Sequence, residues 1–430
     1  MPERTTRLAV FCAAAALLGA KPVHAISCQD WRDLGDVTRI ALPAAAYGAT
    51  LGHWDGEGAF QYTKQLALTG IGAGTFKLIG DKTRPDAGVS RQSFVSGHVA
   101  AAFSGASFLY TRYSRWLGVP AYALAFANAY SRVCAQKHFD DDVLGGAMVA
   151  MMANWWAVSP YEGTGRIYPT FTSNGIGIGF SQLLGGNKQP RDRDNFKPRY
   201  RVVFEFGPVV TDKNIVRAPS NSPDTLDLAA LENEFTFTAR FQYEYYMGET
   251  STWGVHYDPF GSTDFASTSE SFRFGGREFV PDDESYFDTN YRTWDLRPFY
   301  KYKFFDNERF EARVGVGLQW TSVEVEIEQK ANEDGALIAG EKIAEDLFFP
   351  TLHLSAGYRL ADRWRIEGEV DGMSLDNTRY LNAAVWLRWQ PTPIWDMAVG
   401  GRLKNTRVDE AGLFNEAEFS DISFQLARSF

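Results

Sequence analysis

The sequence predicts two domains, an all-α helical domain followed by an all-β antiparallel barrel of about 8–12 strands. With 430 residues, the chain is long for a single hydrophobic core. Residues 36–159 contain apolar runs of helical length, whereas from residue 161 onward short stretches alternate between apolar and polar residues. The change in period places the domain boundary near residue 160.

The N-terminus has the pattern of a cleavable export signal over residues 1–25. Arg4 and Arg7 precede a short apolar run, Leu8–Ala20, and Val23-His24-Ala25 then offers small residues at the expected cleavage positions. The run is too short to span a bilayer. The mature chain would then hold a helical domain at residues 26–160 and a β domain at residues 161–430.

Two cysteines remain after this cleavage, Cys28 and Cys134. In an oxidising compartment they can form one disulfide, or both can stay as thiols. Cys28 also lies in a poor match to a lipoprotein site. The sequence leaves all three states open.

The apolar runs of the first half predict buried helices. They are Val99–Tyr110, Leu117–Tyr130 and Val143–Val158. Each is at or below the lower length limit of a membrane span, so a compact helical domain explains them better.

The second half predicts β-strands. In Phe235–Tyr243, every second residue is Phe, Ala or Tyr, and the residues between them are Thr, Arg or Gln. Similar stretches are Arg201–Phe206, Phe299–Phe304, Ala312–Trp320, Leu352–Tyr358, Ile366–Val370, Ala383–Trp389 and Met397–Leu403.

The last strand alternates up to the terminal Phe430, with Arg428 as the one charged residue on its apolar face. An exported chain that ends in this way resembles bacterial outer-membrane β-barrel proteins. That resemblance implies a barrel in the outer membrane, placed there by the barrel-insertion machinery. A soluble β-sandwich also alternates, but the density of aromatic residues and the well-sorted strand faces favour the barrel.

Three short constellations in the first half carry the chemistry. Lys77 is followed after six residues by Arg84-Pro85, then comes Ser96-Gly97-His98, and Ser131-Arg132 is followed by His138 and Asp142. Together, in this order and spacing, they resemble the signature of the phosphatidic acid phosphatase type 2 and vanadium haloperoxidase superfamily over residues 36–159. Val95 departs from the pattern, since Pro often stands there.

The resemblance assigns a role to each of these residues, and physical chemistry agrees with it. Lys77, Arg84 and Arg132 supply positive charge for a phosphoryl group, and Ser96 and the Gly97 N–H add hydrogen bonds. Each alone would be an ordinary surface or turn residue, so only the complete set indicates a phosphate site.

His138 is the predicted nucleophile, and Asp142 at i+4 on a helix would orient its ring. His98 would protonate the leaving group and then activate water. The implied enzyme is a metal-independent acid or lipid phosphatase that hydrolyses phosphate monoesters such as phosphatidic acid through a phosphohistidine.

Cofactors and other partners are limited by the same features. A net charge of -10 does not attract nucleic acid, and no His or Cys pair has metal-ligand spacing, so no metal is expected. Vanadate would act only as a phosphate mimic. The alternatives are a vanadium-dependent haloperoxidase, with vanadate as its cofactor, and a channel or anchor with an accessory phosphatase domain.

The barrel also predicts a location. Barrel chains with an even number of strands begin and end on the periplasmic side. The helical domain precedes the first strand, so we expect it in the periplasm, facing the inner leaflet of the outer membrane. Lipid A phosphates of the outer leaflet would then be out of its reach.

Overall fold

The computed structural model describes residues 27–80, 82–86, 91–161, 165–172, 175–182, 197–229, 235–266, 270–281, 286–331, 337–375, 377–410 and 412–430. Of residues 165–172 and 175–182 it describes the backbone alone. The predicted export signal, residues 1–25, lies outside the described residues.

Five α-helices make up the N-terminal part of the described chain. They are α1 (Cys28–Gly52), α2 (Gly56–Ile79), α3 (Gly97–Phe108), α4 (Arg115–Cys134) and α5 (Asp140–Ala157), and a short π-helical turn, Leu109–Tyr113, continues α3. The three predicted helical runs coincide with α3, α4 and α5. No helix in the described part of the chain is long and apolar enough to cross a membrane.

A polar cap and a close glycine contact hold this bundle together. The Asp55 carboxylate caps α2 by accepting from Gly58 N at 2.8 Å, and it also accepts two bonds of 2.7 Å from the Arg112 guanidinium. A Cβ on Gly105 would lie 2.5 Å from the Leu42 carbonyl. Only glycine therefore lets α3 approach the backbone of α1 this closely.

Cys28 and Cys134 form a disulfide, with their Cα atoms 5.4 Å apart. The bond joins the first residue of α1 to the last residue of α4. Of the three states that the sequence left open, the structure shows the disulfide. It ties α1 to the helix end that carries Arg132.

The C-terminal part forms a closed barrel of ten antiparallel strands. In spatial order they are β3 (Tyr200–Arg217), β5 (Thr236–Met247), β6 (Ser251–Ala266), β9 (Tyr286–Asp306), β10 (Phe310–Lys330), β11 (Leu337–Ala361), β12 (Trp364–Leu375), β13 (Thr378–Trp389), β14 (Trp395–Asp409) and β15 (Phe414–Ser429). Pairing of β15 with β3 closes the sheet. The predicted two-domain fold is confirmed.

Within the described residues, five short strands lie outside this barrel. A separate hairpin, β1 (Gly165–Thr172) and β2 (Gly175–Gln182), follows the helices. The pair β7 (Phe272–Phe274) and β8 (Arg277–Phe279) belongs to the connection between β6 and β9, and β4 (Leu226–Asp227) pairs with the end of β3.

Buried ion pairs fill the middle of the barrel lumen. The Glu205 carboxylate accepts from Arg240 at 2.9 Å, from Arg402 at 2.9 and 2.8 Å and from Gln425 at 2.8 Å. Arg240 also pairs with Asp258 at 2.6 Å. Each charge keeps several partners, which offsets the cost of removing it from water.

The outward face of the barrel is apolar. Leu352, Leu403 and Ile422 each keep more than 60% of their surface exposed, at 66%, 63% and 69%. The alternation predicted for the last strand is confirmed, because Ile422 points outward while Gln425 lies in the lumen. Arg428, the charged exception, lies beneath the rings of the terminal Phe430 and of Trp395.

The helical domain lies alongside the barrel and packs against the outward faces of β3, β5 and β6. The Trp155 ring of α5 stacks on Phe204 with centroids 4.8 Å apart, and Phe76 of α2 stacks on Phe206 at 5.1 Å. Phe94, which precedes the Ser96 turn, stacks on Phe237 at 5.9 Å. The domain therefore lies beside the barrel wall and not beyond its end.

The disulfide leads to a first prediction. Cys28→Ser and Cys134→Ser should each lower the free energy of unfolding by about 2–5 kcal/mol, since the bond closes a long loop of the unfolded chain. The measurement is thermal inactivation with and without reductant. The double variant should match either single variant; single variants as stable as the wild type would contradict the prediction.

The lumen network leads to a second prediction. Glu205→Ala leaves two buried arginines short of a partner and should cost about 3–5 kcal/mol. Heat-induced mobility shifts on SDS gels should then occur at a lower temperature. Glu416→Ala is the matched control, because its pair with Lys213 is partly exposed and should be worth at most about 1 kcal/mol.

Candidate active site

The Ser96 turn is fixed against the start of α5. The Ser96 N–H donates to the Asp142 carbonyl at 2.9 Å. A Cβ on Gly146 would lie 2.5 Å from the Ser96 carbonyl oxygen, and one on Gly145 would lie 2.6 Å from the Val95 side chain. The two glycines that follow Asp142 therefore allow the second and third constellations to meet.

His138 is buried and faces two acceptors with one ring nitrogen. Its side chain is 4% exposed, and Nδ1 lies 3.5 Å from both Asp142 Oδ2 and Ser93 Oγ. Ser93 Oγ donates to the same carboxylate oxygen at 2.5 Å, and Phe139 N donates to it at 2.9 Å. The ring is thereby oriented with Nε2 as the nitrogen available for attack.

The predicted helical spacing of His138 and Asp142 is corrected here. Helix α5 begins at Asp140, so His138 lies before the helix and not on it. Asp142 reaches His138 because it folds back over the helix start, where it accepts from Phe139 N. The contact therefore depends on the loop that leads into α5.

Lys82 is a site residue that the sequence analysis missed. Its ammonium is buried and lies 2.6 Å from Asp141 Oδ2 and 3.1 Å from Asp142 Oδ1. Burial by itself lowers the pKa of Lys82, but the two carboxylates outweigh it and raise the pKa above its usual value. The only available signal was its position between Lys77 and Arg84 in the first constellation.

The charge of Lys82 sets the state of Asp142. Burial alone would raise the pKa of Asp142, but Lys82, His138 and Ser93 together hold that pKa well below its ordinary range. Asp142 is therefore ionised and can accept a hydrogen bond from the protonated Nδ1 of His138.

Two cations, Arg84 and Lys77, lie close enough to His138 to affect its protonation. Burial lowers the pKa of His138, and the nearby charges of Arg84 and Lys77 lower it further, against the opposite effect of Asp142. The Lys77 ammonium donates to the Gln92 carbonyl at 2.9 Å. The His138 ring, the predicted nucleophile, is thus kept neutral beside two positive charges.

Among the buried polar atoms of this region that have no hydrogen-bond partner in the described residues are two that can donate, Ser96 Oγ and Arg84 Nε. Burying such atoms without a partner is costly. Both are donors, and with Lys77 they match the oxygens of a phosphoryl group. The phosphate-binding role predicted for Lys77, Arg84, Ser96 and Gly97 fits this arrangement and stays a prediction.

His98 lies one residue after Gly97, in the first turn of α3, with a different set of neighbours. Its Nε2 is 3.0 Å from Asp36 Oδ1 and 2.7 Å from Arg39 Nη1. Arg132 Nη1 lies 3.2 Å from the same Asp36 oxygen. The structure therefore brings the predicted His98 and Arg132 together through Asp36.

Asp36 and Arg39 are further residues that the sequence analysis missed, since no motif surrounds them in α1. A protonated Nε2 can donate to Asp36, and a deprotonated Nε2 can accept from Arg39. Burial, Arg132 and Arg39 lower the pKa of His98 to about 4. The pair can hold the ring in both states that an acid–base catalyst passes through.

The site offers the oriented, neutral imidazole of His138 and a second imidazole, that of His98. It also offers the three predicted cations, Lys77, Arg84 and Arg132, and donors that have no partner among the described residues. This set suits attack on phosphorus, stabilisation of the charge on its equatorial oxygens, and proton transfer to and from the leaving oxygen. No group of three or more His, Cys, Asp or Glu side chains within the described ranges is arranged to hold a metal ion.

Comparison with known proteins covers the two domains separately. A sequence model of the PAP2 superfamily matches residues 58–164. The Lipid A 1-phosphatase of Porphyromonas gingivalis is 35% identical over 92 residues, which are 20% of this chain and 20% of that protein. The chain thus spans about a fifth of the length of the curated relative that it matches.

Solved structures resemble one domain each. OmpT of Escherichia coli, an outer-membrane protease, is 12% identical and covers 54% of this chain and 96% of its own, with a TM-score of 0.35. Neisserial surface protein A is 11% identical and covers 54% of this chain and 97% of its own, with a TM-score of 0.24. LpxE of Aquifex aeolicus is 20% identical and covers 31% of this chain and 96% of its own, with a TM-score of 0.24.

The motif match, the helical bundle and the closed barrel lead to one assignment. Residues 58–164, within the helical bundle, match the model of the PAP2 superfamily, and the chain continues into a closed ten-stranded β-barrel.

Proposed function

We propose that the chain is a lipid phosphate phosphatase that hydrolyses phosphate monoesters through a phosphohistidine at His138. One observation carries the proposal: Nδ1 of the buried His138 faces the ionised Asp142, the charges of Lys77 and Arg84 act on the ring, and the buried Ser96 hydroxyl has no partner among the described residues. The matched Lipid A 1-phosphatase supports a lipid phosphate as the substrate class. Phosphatidic acid in particular stays a prediction, as does catalysis without a metal or cofactor.

The first step of the proposed reaction forms a P–N bond. The Nε2 lone pair of His138 attacks phosphorus, and the bond from phosphorus to the lipid oxygen breaks. Lys77, Arg84 and Ser96 stabilise the charge on the equatorial oxygens. His98 enters this step in the protonated form that Asp36 stabilises and gives its proton to the departing oxygen, while Asp142 stabilises the imidazolium of His138.

The second step returns the enzyme to its starting state. Water attacks the phosphorus of the phosphohistidine, His98 takes a proton from that water, and the P–N bond breaks. Inorganic phosphate leaves. The paired contacts of His98 with Asp36 and Arg39 suit this cycle, because the ring gives up a proton in one step and regains it in the next.

Removal of the nucleophile tests this mechanism. His138→Asn should lower kcat for phosphate release from a short-chain lipid phosphate in detergent by about 10³-fold or more. Acid quenching of the wild type during turnover should trap acid-labile phosphate on the protein, and the variant should trap none. His53→Gln is the matched control, since His53 stacks on Tyr113, away from the site. Unchanged turnover in His138→Asn would rule the mechanism out.

The pKa of His138 predicts the pH profile. A histidine whose pKa is lowered stays neutral until the pH falls below that lowered pKa. The acid limb of the kcat/KM profile should therefore lie below pH 6.5, the ordinary pKa of histidine. A limb at or above this value, measured with the wild type in detergent, would contradict the neutral-nucleophile step.

Lys82 should act by keeping Asp142 ionised. In Lys82→Met the pKa of Asp142 should rise, so the acid limb should move to higher pH and kcat should fall about 10²-fold. Lys82→Arg should move the acid limb part of the way back to its wild-type pH. Lys64→Met changes an exposed lysine of α2 and should leave the profile as in the wild type. A loss of kcat with an unmoved limb would leave Lys82 a purely structural role.

A further inference from the structure

We infer that the active site opens at the outer, cell-surface side of the outer membrane, so that its substrate is a phosphorylated glycolipid of the outer leaflet. The inference rests on the proposed phosphatase function and adds the membrane face and the substrate class. The observation behind it is the position of the site along the barrel axis, between the two ends of the barrel.

The two ends of the barrel differ in their connections. At the end where β3 begins and β15 finishes, the strands are joined by residues 248–250, 307–309, 362–363 and 390–394. At the opposite end, residues 218–235 and 267–285 form the two longest connections. Outer-membrane barrels place short turns in the periplasm and long loops outside the cell. The end with the long connections is therefore the cell-surface end.

Outward aromatic side chains mark the apolar band between these ends. Near the middle of the long strands β9, β10 and β11, Trp294, Trp320 and Phe348 form a cluster in which neighbouring centroids lie 4.6 and 5.1 Å apart, and we place the cell-surface edge of the apolar band at this cluster. Near the periplasmic end, Trp253 lies 5.0 Å from Tyr300, and other rings there are Trp364, Trp389 and Trp395. Such belts flank the hydrocarbon core in outer-membrane barrels.

Helix α5 runs along the barrel wall between these two levels. Its Trp155 lies 5.9 Å from Trp395 and 6.0 Å from the terminal Phe430, at the periplasmic end. The helix has 18 residues and so extends about 27 Å, close to the thickness of the apolar band. Its first residue, Asp140, is therefore expected at the cell-surface level.

Contacts at the start of α5 confirm this level. The Phe139 ring packs directly against Gly261 of β6, where a Cβ would lie 2.3 Å from it, and lies 5.2 Å from the Arg292 guanidinium of β9. The Asn290 amide donates to the Pro85 carbonyl at 3.3 Å. Arg292 and Asn290 follow each other outward on β9, just beyond Trp294 toward the cell-surface end.

These contacts place the catalytic residues at the same height. His138 immediately precedes Phe139, and Arg84 immediately precedes Pro85. Both therefore lie just beyond the cell-surface aromatic belt, where the phosphates of outer-leaflet lipids are found. The periplasmic placement that was expected from domain order assumed a domain beyond the barrel end, and the lateral packing removes that assumption.

The seam between the domains is open to the lipid chains below this level. An apolar cleft of about 320 Å³ is lined by Phe76 and Met152 of the helical domain and by Val399, Ile422 and Phe424 of the barrel wall. Phe76 directly precedes Lys77 of the site. One acyl chain of a lipid whose phosphate lies at Lys77 would occupy this cleft.

Cysteine labelling in intact cells tests the membrane face. Single variants of the full chain carry Gln92→Cys beside the site, Trp54→Cys at the opposite end of the helical domain, and the barrel markers Glu410→Cys and Glu308→Cys at the two rims. A membrane-impermeant maleimide should label Gln92→Cys and Glu410→Cys in intact cells. Trp54→Cys and Glu308→Cys should react only after the outer membrane is permeabilised.

The wild type is the control for background, because its two described cysteines form the disulfide. Labelling of Gln92→Cys only after permeabilisation, while Glu410→Cys reacts in intact cells, would overturn the inference. Labelling of Glu308→Cys in intact cells would overturn it as well, because the barrel would then be inverted.

Substrate class is tested in parallel. Mass spectrometry of lipids from cells that express the wild type should show phosphate loss from the outer-leaflet glycolipid, and cells with His138→Asn should show none. Loss from phosphatidic acid alone would overturn the substrate assignment.

Phosphate release by the purified protein in detergent distinguishes a failure of the membrane-face inference from a failure of the proposed function. An enzyme that is active in detergent but fails the labelling test contradicts the membrane face alone. A protein that is inactive in detergent but is labelled from outside contradicts the proposed function, and the substrate assignment with it.

Discussion

Helix α5 is held along its length against the outer wall of the barrel, and the rest of the molecule is arranged around that contact. At one end Trp155 stacks on Phe204, and at the other Phe139 fills the space left by Gly261. Aromatic stacking and close packing of this kind contribute through area removed from solvent or lipid and through geometry. The helix start, which carries Asp142, is thereby fixed relative to the barrel.

From that fixed helix start, the catalytic geometry follows through short polar contacts. Asp142 binds the Ser96 turn with its backbone carbonyl and faces His138 with its side chain. Its charge would be costly to bury alone, and Lys82 compensates it at 3.1 Å. The buried cation Lys82 thus determines the protonation of the carboxyl group behind the proposed nucleophile.

The barrel contributes more than an anchor. Its polar lumen is filled by ion pairs around Glu205 and Arg240, while its outer wall presents apolar surface to the helical domain. Strand alternation makes both possible, because successive side chains point to opposite faces. The same strand, β5, carries Arg240 into the lumen and Phe237 against Phe94 beside the site. Packing against the barrel wall therefore fixes the position of the site along the barrel axis.

Local sequence determined the two fold classes and most strands, and it supplied eight candidate site residues, because helical and strand periods and motif spacings are short-range properties. It did not reveal β6, where Gly254, Pro259 and Gly261 interrupt the alternation, nor the helix start after His138. The sequence analysis also missed Lys82, Asp36 and Arg39, since their partners are distant in the chain. The position of the site beside the barrel was decided only by tertiary packing, because domain order does not specify which surfaces of two domains meet.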